Sequence, residues 1–225
     1  MKNPINIALW LLPWLILASV IAARIALPVE EFRARLMGEL GPIELGTVVI
    51  LAIAIGVGLH LLRQPNHNGL QKVWFVMVVL GCVYFAGEEM SWGQHLVGWS
   101  TPDSIAELND QQETNLHNMS SWLDQKPRLA LELWMVFGAL LAIYRWLAGP
   151  SLPLREPWIW ALPGLSCASA GVAVLLSRLP ERLGDIVPAL AAAPFDIRLA
   201  EVQELLIGVH LLSYLWFAHG QSESR

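Results

Sequence analysis

The sequence predicts an all-α fold: a polytopic membrane helical bundle of about six transmembrane helices, with interfacial helices on one face. Two observations carry this reading. Of 225 residues, 55% are hydrophobic and only 15% are charged, with a mean hydropathy of +0.50, too apolar for an ordinary soluble domain. The apolar residues also fall into runs of about 20, the length a helix rising about 1.5 Å per residue needs to cross ~30 Å of hydrocarbon. Residues 1–225 therefore read as a single integral membrane domain.

The elements follow in order. The first span, Ile5 to Leu27, follows Lys2 and passes the small residues Ala22 and Ala23 as a signal peptide would, but it is longer than the ~7 to 15 residues of a signal core. Val29 to Gly41 alternates charge with Phe32, Leu36, Met37 and Leu40, the pattern of a short interfacial helix. Ile43 to Leu62 and Leu70 to Gly87 are the second and third spans. Residues 88–128 form a polar motif segment. Leu129 to Ala148 and Pro157 to Leu179 are the fourth and fifth spans. Pro180 to Phe195, with Leu183, Ile186, Val187 and Leu190 at helical spacing, reads as a second interfacial stretch, and Leu199 to Ala218 closes the set. Cys82 and Cys167 fall inside spans, as small packing residues rather than disulfide partners.

Six spans place both termini on one side, with the short basic turns Arg63 to Lys72 and Arg145 to Arg155. Short basic turns face the cytoplasm, so both termini are expected there and the motif segment on the opposite, extracytoplasmic face. Of the 19 acidic residues only Glu156 and Glu223 fall on the terminal side, which leaves the motif face acidic. Trp10, Trp14, Trp74, Trp146, Trp158, Trp160 and Trp216 would form one interfacial belt, and Trp92, Trp99, Trp122 and Trp134 the other.

The motif segment, GEEMSWGQHLVGWSTPDSIAELNDQQETNLHN from Gly87 to Asn118, gathers groups that a bilayer protein has little reason to collect without using them. If the third helix continues past Gly87, Glu88, Ser91 or Trp92, and His95 share a face, while Glu89 points elsewhere. After the turn signals Ser100 to Asp103, a helix over Ile105 to Met119, N-capped by Ser104 or Asp103, aligns Asn109, Glu113 and His117. A Glu and a His four apart can ligate one metal. Glu88, His95, Glu113 and His117 would then make a set suited to a divalent zinc, iron or manganese ion. The spacing permits a metal without requiring one, and a hydrogen-bonded polar network is the alternative use of the same residues.

Further carboxylates enter the spans. Glu44 opens the second, Glu132 the fourth, and Glu201 and Glu204 the sixth. Intramembrane carboxylates are costly and face a partner or a cavity, so a shared vestibule under the acidic face is expected, with Arg198 as a simple partner for Glu201 or Glu204. His210, seven residues after Gln203 and four before Tyr214, adds a polar stripe to the sixth span. His60, His67 and His219 belong to the terminal side.

The blocks GEEMSWGQ and NDQQETNLHN resemble a motif pair in an uncharacterised family of bacterial multi-pass membrane proteins, where GEE-x-SWGQ and E-x-NLHN surround one loop. The resemblance covers Gly87 to Asn118. It implies a bacterial inner-membrane protein and points to Glu88, Glu89, Ser91, Trp92, Gln94, Glu113, Asn115, His117 and Asn118. Glu88 and Glu89 also look like the paired glutamates of the intramembrane CAAX-protease family, but Gly93 stands where that motif has Arg. Ser91 to His95 looks like the Ser-x-x-x-His of alkaline-ceramidase-like hydrolases, whose second His pair would need a His where Tyr214 stands.

Three functions fit. The first is a metal-dependent hydrolase or transferase acting on a lipid or lipid-linked substrate, with Glu88, Glu89, Ser91, Glu113 and His117 as catalytic candidates. The second is a non-enzymatic subunit or assembly factor whose polar segment is a structural cap. The third is a proton- or cation-coupled transporter with Glu132, Glu201, Glu204 and His210 as a relay. The lipid bilayer is the one partner the sequence names. No basic stripe of a nucleic-acid binder, phosphate-binding loop or dinucleotide fingerprint occurs.

Overall fold

The computed structural model describes residues 3–38, 40–103, 114, 121–148, 159–197 and 199–223, and among them there is helix, turn and loop but no strand. Helix α1, Pro4–Ala26, begins where the Asn3 side chain accepts from the Ile5 N–H at 2.9 Å, with Pro4 in the first turn, where its missing N–H costs nothing. Helix α2, Val29–Leu36, places Glu30 and Glu31 in its first turn and Arg33 and Arg35 in its last, matching the helix dipole. It buries Phe32 completely. Helix α3, Pro42–Leu62, follows Gly41, where a Cβ would lie 2.6 Å from the Gly38 carbonyl oxygen. Helix α4, Gly69–Glu89, starts from a reciprocal capping box between Asn68 and Gln71.

Beyond it lie the one-turn α5, Gln94–Val97, the long α6, Ser121–Ala148, then α7, Leu165–Ser177, α8, Leu179–Leu183, and α9, Leu199–Glu223. Among the described residues, four helices are long and apolar enough to cross a membrane: α1, α3, α4 and the Lys126–Ala148 part of α6. These agree with four of the six expected spans to within a few residues.

The other two differ. The fifth expected span, Pro157 to Leu179, is not one helix. A single 3-10 turn at Ile159–Ala161 precedes α7, whose 13 residues rise only ~20 Å, and Pro163 and Gly164 stand between. The sixth is a continuous helix, but Glu201, Gln203, Glu204 and His210 interrupt its apolar character. Its place explains this: α9 is the centre of the assembly, packed on α3, α7 and α1, and every residue from Leu205 to Leu215 is buried. A helix buried on all sides needs no lipid-facing stripe.

The helices around it do have one. Leu15, Val49, Ile53, Met77, Leu80, Leu133, Phe137 and Leu140 are exposed, while Leu51, Ala54, Phe75 and Met135 point inward and are buried. Close approach is specified by glycine at two contacts. A Cβ on Gly58 would lie 2.3 Å from Val79 Cγ2 of α4, and one on Gly138 2.3 Å from Pro163 Cδ. Polar pins tie α1 to the rest: Ser169 Oγ donates to the Trp10 carbonyl at 2.6 Å and accepts from Trp14 Nε1 at 2.7 Å, and Arg24 forms two hydrogen bonds to the Asp196 carboxylate. The stretch from Pro180 to Phe195 is not a continuous amphipathic helix. α8 ends at Leu183 and a 3-10 turn follows at Pro188–Leu190, since Gly184 loosens the chain and Pro188 lacks the N–H a continuing helix needs. Cys82 and Cys167 are free, buried packing residues, as expected.

Candidate functional site

α4 and α6 stand apart, with α9 behind them, and the gap is a cavity of about 430 Å3. The helical spacing of its lining explains its form. Trp74, Met77, Val78, Gly81, Tyr84 and Phe85 on α4, Leu131 and Trp134 on α6, and Ile207 and Leu211 on α9 present apolar surface. Glu88, Glu89, Arg128 and Glu204 line it too, and all four sit toward the same ends of their helices. From Trp74 to Glu89 the α4 lining rises ~22 Å. The cavity is thus an apolar cleft with one charged end.

The opposite end is closed by a hydrogen-bonded aromatic floor. Trp74 Nε1 donates to Tyr214 Oη at 2.7 Å, and Tyr214 Oη donates to the Trp160 carbonyl at 3.0 Å. The Trp134 ring stands edge-on to Tyr214 with centroids 4.8 Å apart, and its Nε1 donates to the Ala161 carbonyl at 2.9 Å. Trp134, expected in the outer belt, is therefore an interior residue of the same cluster as Trp74, because its indole N–H finds a carbonyl there.

At the charged end Glu204 is ion-paired with Arg128. Glu89, half-buried, lies within electrostatic reach of Glu204, Glu44, Arg128 and Glu201. Of the carboxylates expected to share a vestibule, Glu44, Glu132, Glu201 and Glu204, the first and last two lie around Glu89, the residue that helical phase had turned away, whereas Glu132 is bonded to Gln203 and Arg182. The expected continuation past Gly87 stops at Glu89, where α4 ends, and the chain then turns through left-handed Ser91, Trp92 and Gly93, with φ of 44°, 56° and 92°. Glu88, Ser91 and His95 are therefore not on one continuous helical face. The side chain of His95 lies outside the described residues.

The turn accounts for most letters of the first block. Trp92 folds back so that its Nε1 donates to Glu88 Oε1 at 2.7 Å. Gly87 makes room, since a Cβ there would lie 2.8 Å from the Trp92 ring. Gln94 Nε2 donates to Thr101 Oγ1 at 2.9 Å, and Gln94 Oε1 accepts from the Thr114 N–H at 2.6 Å, joining Thr101 and Thr114 through one side chain. Ser91 is buried.

The second block is not reached. Asn109, Glu113, Asn115, His117 and Asn118, and Arg198 as partner of Glu201 or Glu204, lie outside the described residues. Among the described residues, no group of three or more His, Cys, Asp or Glu is placed to hold a metal ion.

The relay candidates are divided. Glu132 accepts from Gln203 Nε2 at 2.7 Å and from Arg182 Nη2 at 3.2 Å, and Glu204 is taken by Arg128. His210 is buried edge-on against Trp134, and neither ring nitrogen reaches a well-formed hydrogen bond among the described residues. His60 and His219 face each other with centroids 5.0 Å apart at the far end, away from the cleft.

No family model, curated protein or solved structure matches this chain. Arg128 and Tyr214 are the residues that the sequence reading undervalued. Arg128 opens an apolar run much as Glu204 nearly opens another, and a cation and a carboxylate at one membrane depth are a pair to look for.

Proposed function

We propose that this chain is an integral membrane protein of about six membrane-crossing segments, with cytoplasmic termini in a bacterial inner membrane, and that its α4–α6–α9 cleft takes an amphipathic, lipid-like substrate. The single observation that carries the reading is the cleft's polarity: an apolar lining ending in Glu88, Glu89, Arg128 and Glu204. A lipid has that same division. The outward apolar faces of α1, α3, α4 and α6 support the membrane setting, because side chains such as Leu15, Ile53, Leu80 and Phe137 would be costly in water. With the charged end at the extracytoplasmic edge, the reaction class we assign is hydrolysis or group transfer on the substrate's head, with Glu89 as the carboxylate nearest to it. A metal contribution rests on Glu113 and His117, and metal analysis of the purified protein tests it.

A photoactivatable fatty-acyl lipid, added to membranes holding the protein and mapped by mass spectrometry, tests the cleft. Adducts on Leu131 or Leu211 are expected, and Gly81→Phe, which fills open space, should remove them. Adducts confined to outward-facing Leu80, Leu133 and Leu140 would overturn the proposal.

A second reading, the structural cap, is favoured by two hydrogen-bonded groups, Trp92 with Glu88 and Gln94 with Thr101 and Thr114. It concerns the loop and not the cleft. Variants of Gln94 that lose function only in proportion to stability would support it.

A further inference from the structure

The apolar part of the cleft has a fixed end. Trp74 and Trp134 stand with ring centroids 6.2 Å apart, and Trp160 lies 6.5 Å from Trp74. Two chains of hydrogen bonds anchor these rings to the backbone of the Ile159–Ala161 turn: Trp74 through the hydroxyl of fully buried Tyr214 to the Trp160 carbonyl, and Trp134 directly to the Ala161 carbonyl. Swinging one ring aside breaks such a bond in a close-packed interior, which yields little. A chain that reaches this wall stops there.

The space above the wall is continuous and narrow. Gly81 stands midway along the α4 stripe between Trp74 and Glu89, and nothing lies within 4 Å of a Cβ added to it, so no constriction divides the apolar half from the charged end at that level. A cavity of about 150 Å3 takes one benzene, and on that scale about 430 Å3 takes on the order of 17 carbons. That is one alkyl chain and not two. Met77 and Tyr84 line the cleft yet are 58% and 37% exposed, so its α4 edge opens toward the bilayer. A chain can enter sideways from the hydrocarbon, and any second chain of the same lipid stays outside.

Resting on the lipid-cleft reading above, we infer that the cleft is a length gauge for a single alkyl chain, with the head at the Glu88–Arg128 end, the methyl end against Trp74 and Trp134, and longer chains rejected by that floor.

The test is photolabelling of the full chain in nanodiscs with octanol, dodecanol, hexadecanol and docosanol, each carrying a diazirine on its last carbon and added at equal mole fraction. Adducts should lie on Phe85 or Leu131 with octanol and move to Trp74 or Trp134 with hexadecanol. Docosanol should label the cleft at least about tenfold less than hexadecanol, the penalty of overfilling a packed site. Trp134→Ala, which removes one ring of the floor, should restore docosanol labelling, and Trp74→Ala is the second variant should the first not fold. Cleft adducts whose position ignores chain length, or docosanol labelling equal to that of hexadecanol, would overturn the gauge while the cleft stands. So would a length limit that neither floor variant moves. Adducts confined to outward-facing Leu80, Leu133 and Leu140 with every alcohol would overturn the lipid-cleft reading itself. The length series on the unmodified protein decides even if neither variant folds.

Discussion

The indole N–H of Trp92 donates a 2.7 Å hydrogen bond to Oε1 of Glu88, and the carboxylate that accepts it is only 3% exposed. The bond closes a left-handed turn that L side chains rarely adopt, so contact and backbone depend on each other. Trp92→Phe keeps the ring and removes the donor. A loss of about 1 to 3 kcal/mol is expected, the usual range for stranding a buried acceptor. A double-mutant cycle with Glu88→Gln, read from unfolding midpoints in detergent, should show coupling above about 0.5 kcal/mol. Additive single-variant effects would count against a shared role.

Gly58 and Gly56 lie two residues apart on α3 and should answer oppositely to one added methyl. A Cβ at Gly58 would press on Val79 at 2.3 Å, whereas nothing lies within 4 Å of one at Gly56. Gly58→Ala should cost about 1 to 3 kcal/mol by overpacking the α3–α4 contact. Gly56→Ala should be neutral, or gain up to about 1 kcal/mol from helix propensity. Thermal unfolding of both variants decides, and equal midpoints would refute the close α3–α4 contact.

Asp196 sets an acid limit. The Arg24 guanidinium, hydrogen-bonded to it, holds its carboxyl below the usual range, which lies near ~3.9. A depressed folded-state value means the contribution is fully present above the ordinary pKa and fades as pH falls through the lower one. Midpoints should therefore drop more steeply for the native chain than for Asp196→Asn between about pH 5 and 3. Parallel curves would mean that the pair does not link α1 to the segment before α9.

Tyr214→Phe removes the hydroxyl that accepts from Trp74 and donates to the Trp160 carbonyl. Both of these hydrogen bonds are then lost at the cleft floor, at a cost of about 1 to 3 kcal/mol. Ligand binding should weaken more for long chains than for short ones, since only long chains reach the floor. A chain-length series measured on both proteins checks this, and an unchanged ratio would place the chain elsewhere.

The sequence by itself determined the helices that face outward. Apolar runs such as Ile43 to Leu62 must avoid water along most of their length, and hydropathy reads that need directly, so α1, α3, α4 and α6 were legible to within a few residues. It also singled out Glu88, Glu204 and the GEEMSWGQ block, because charge and amides are conspicuous in an apolar chain. What only the tertiary structure decided was direction and partnership. Helical phase placed Glu89 away from Glu88, yet the gap between α4, α6 and α9 is wide enough for both to line it, and the left-handed residues after α4 take Ser91 and His95 off that helix. Trp134 read as a belt residue until Tyr214 and the Ala161 carbonyl drew it inside. Arg128 read as a topological charge until α9 brought Glu204 beside it. A linear pattern records how each residue meets solvent or lipid. Which helix supplies the missing hydrogen bond depends on contacts dozens of residues apart, and those exist only once the chain has packed around α9.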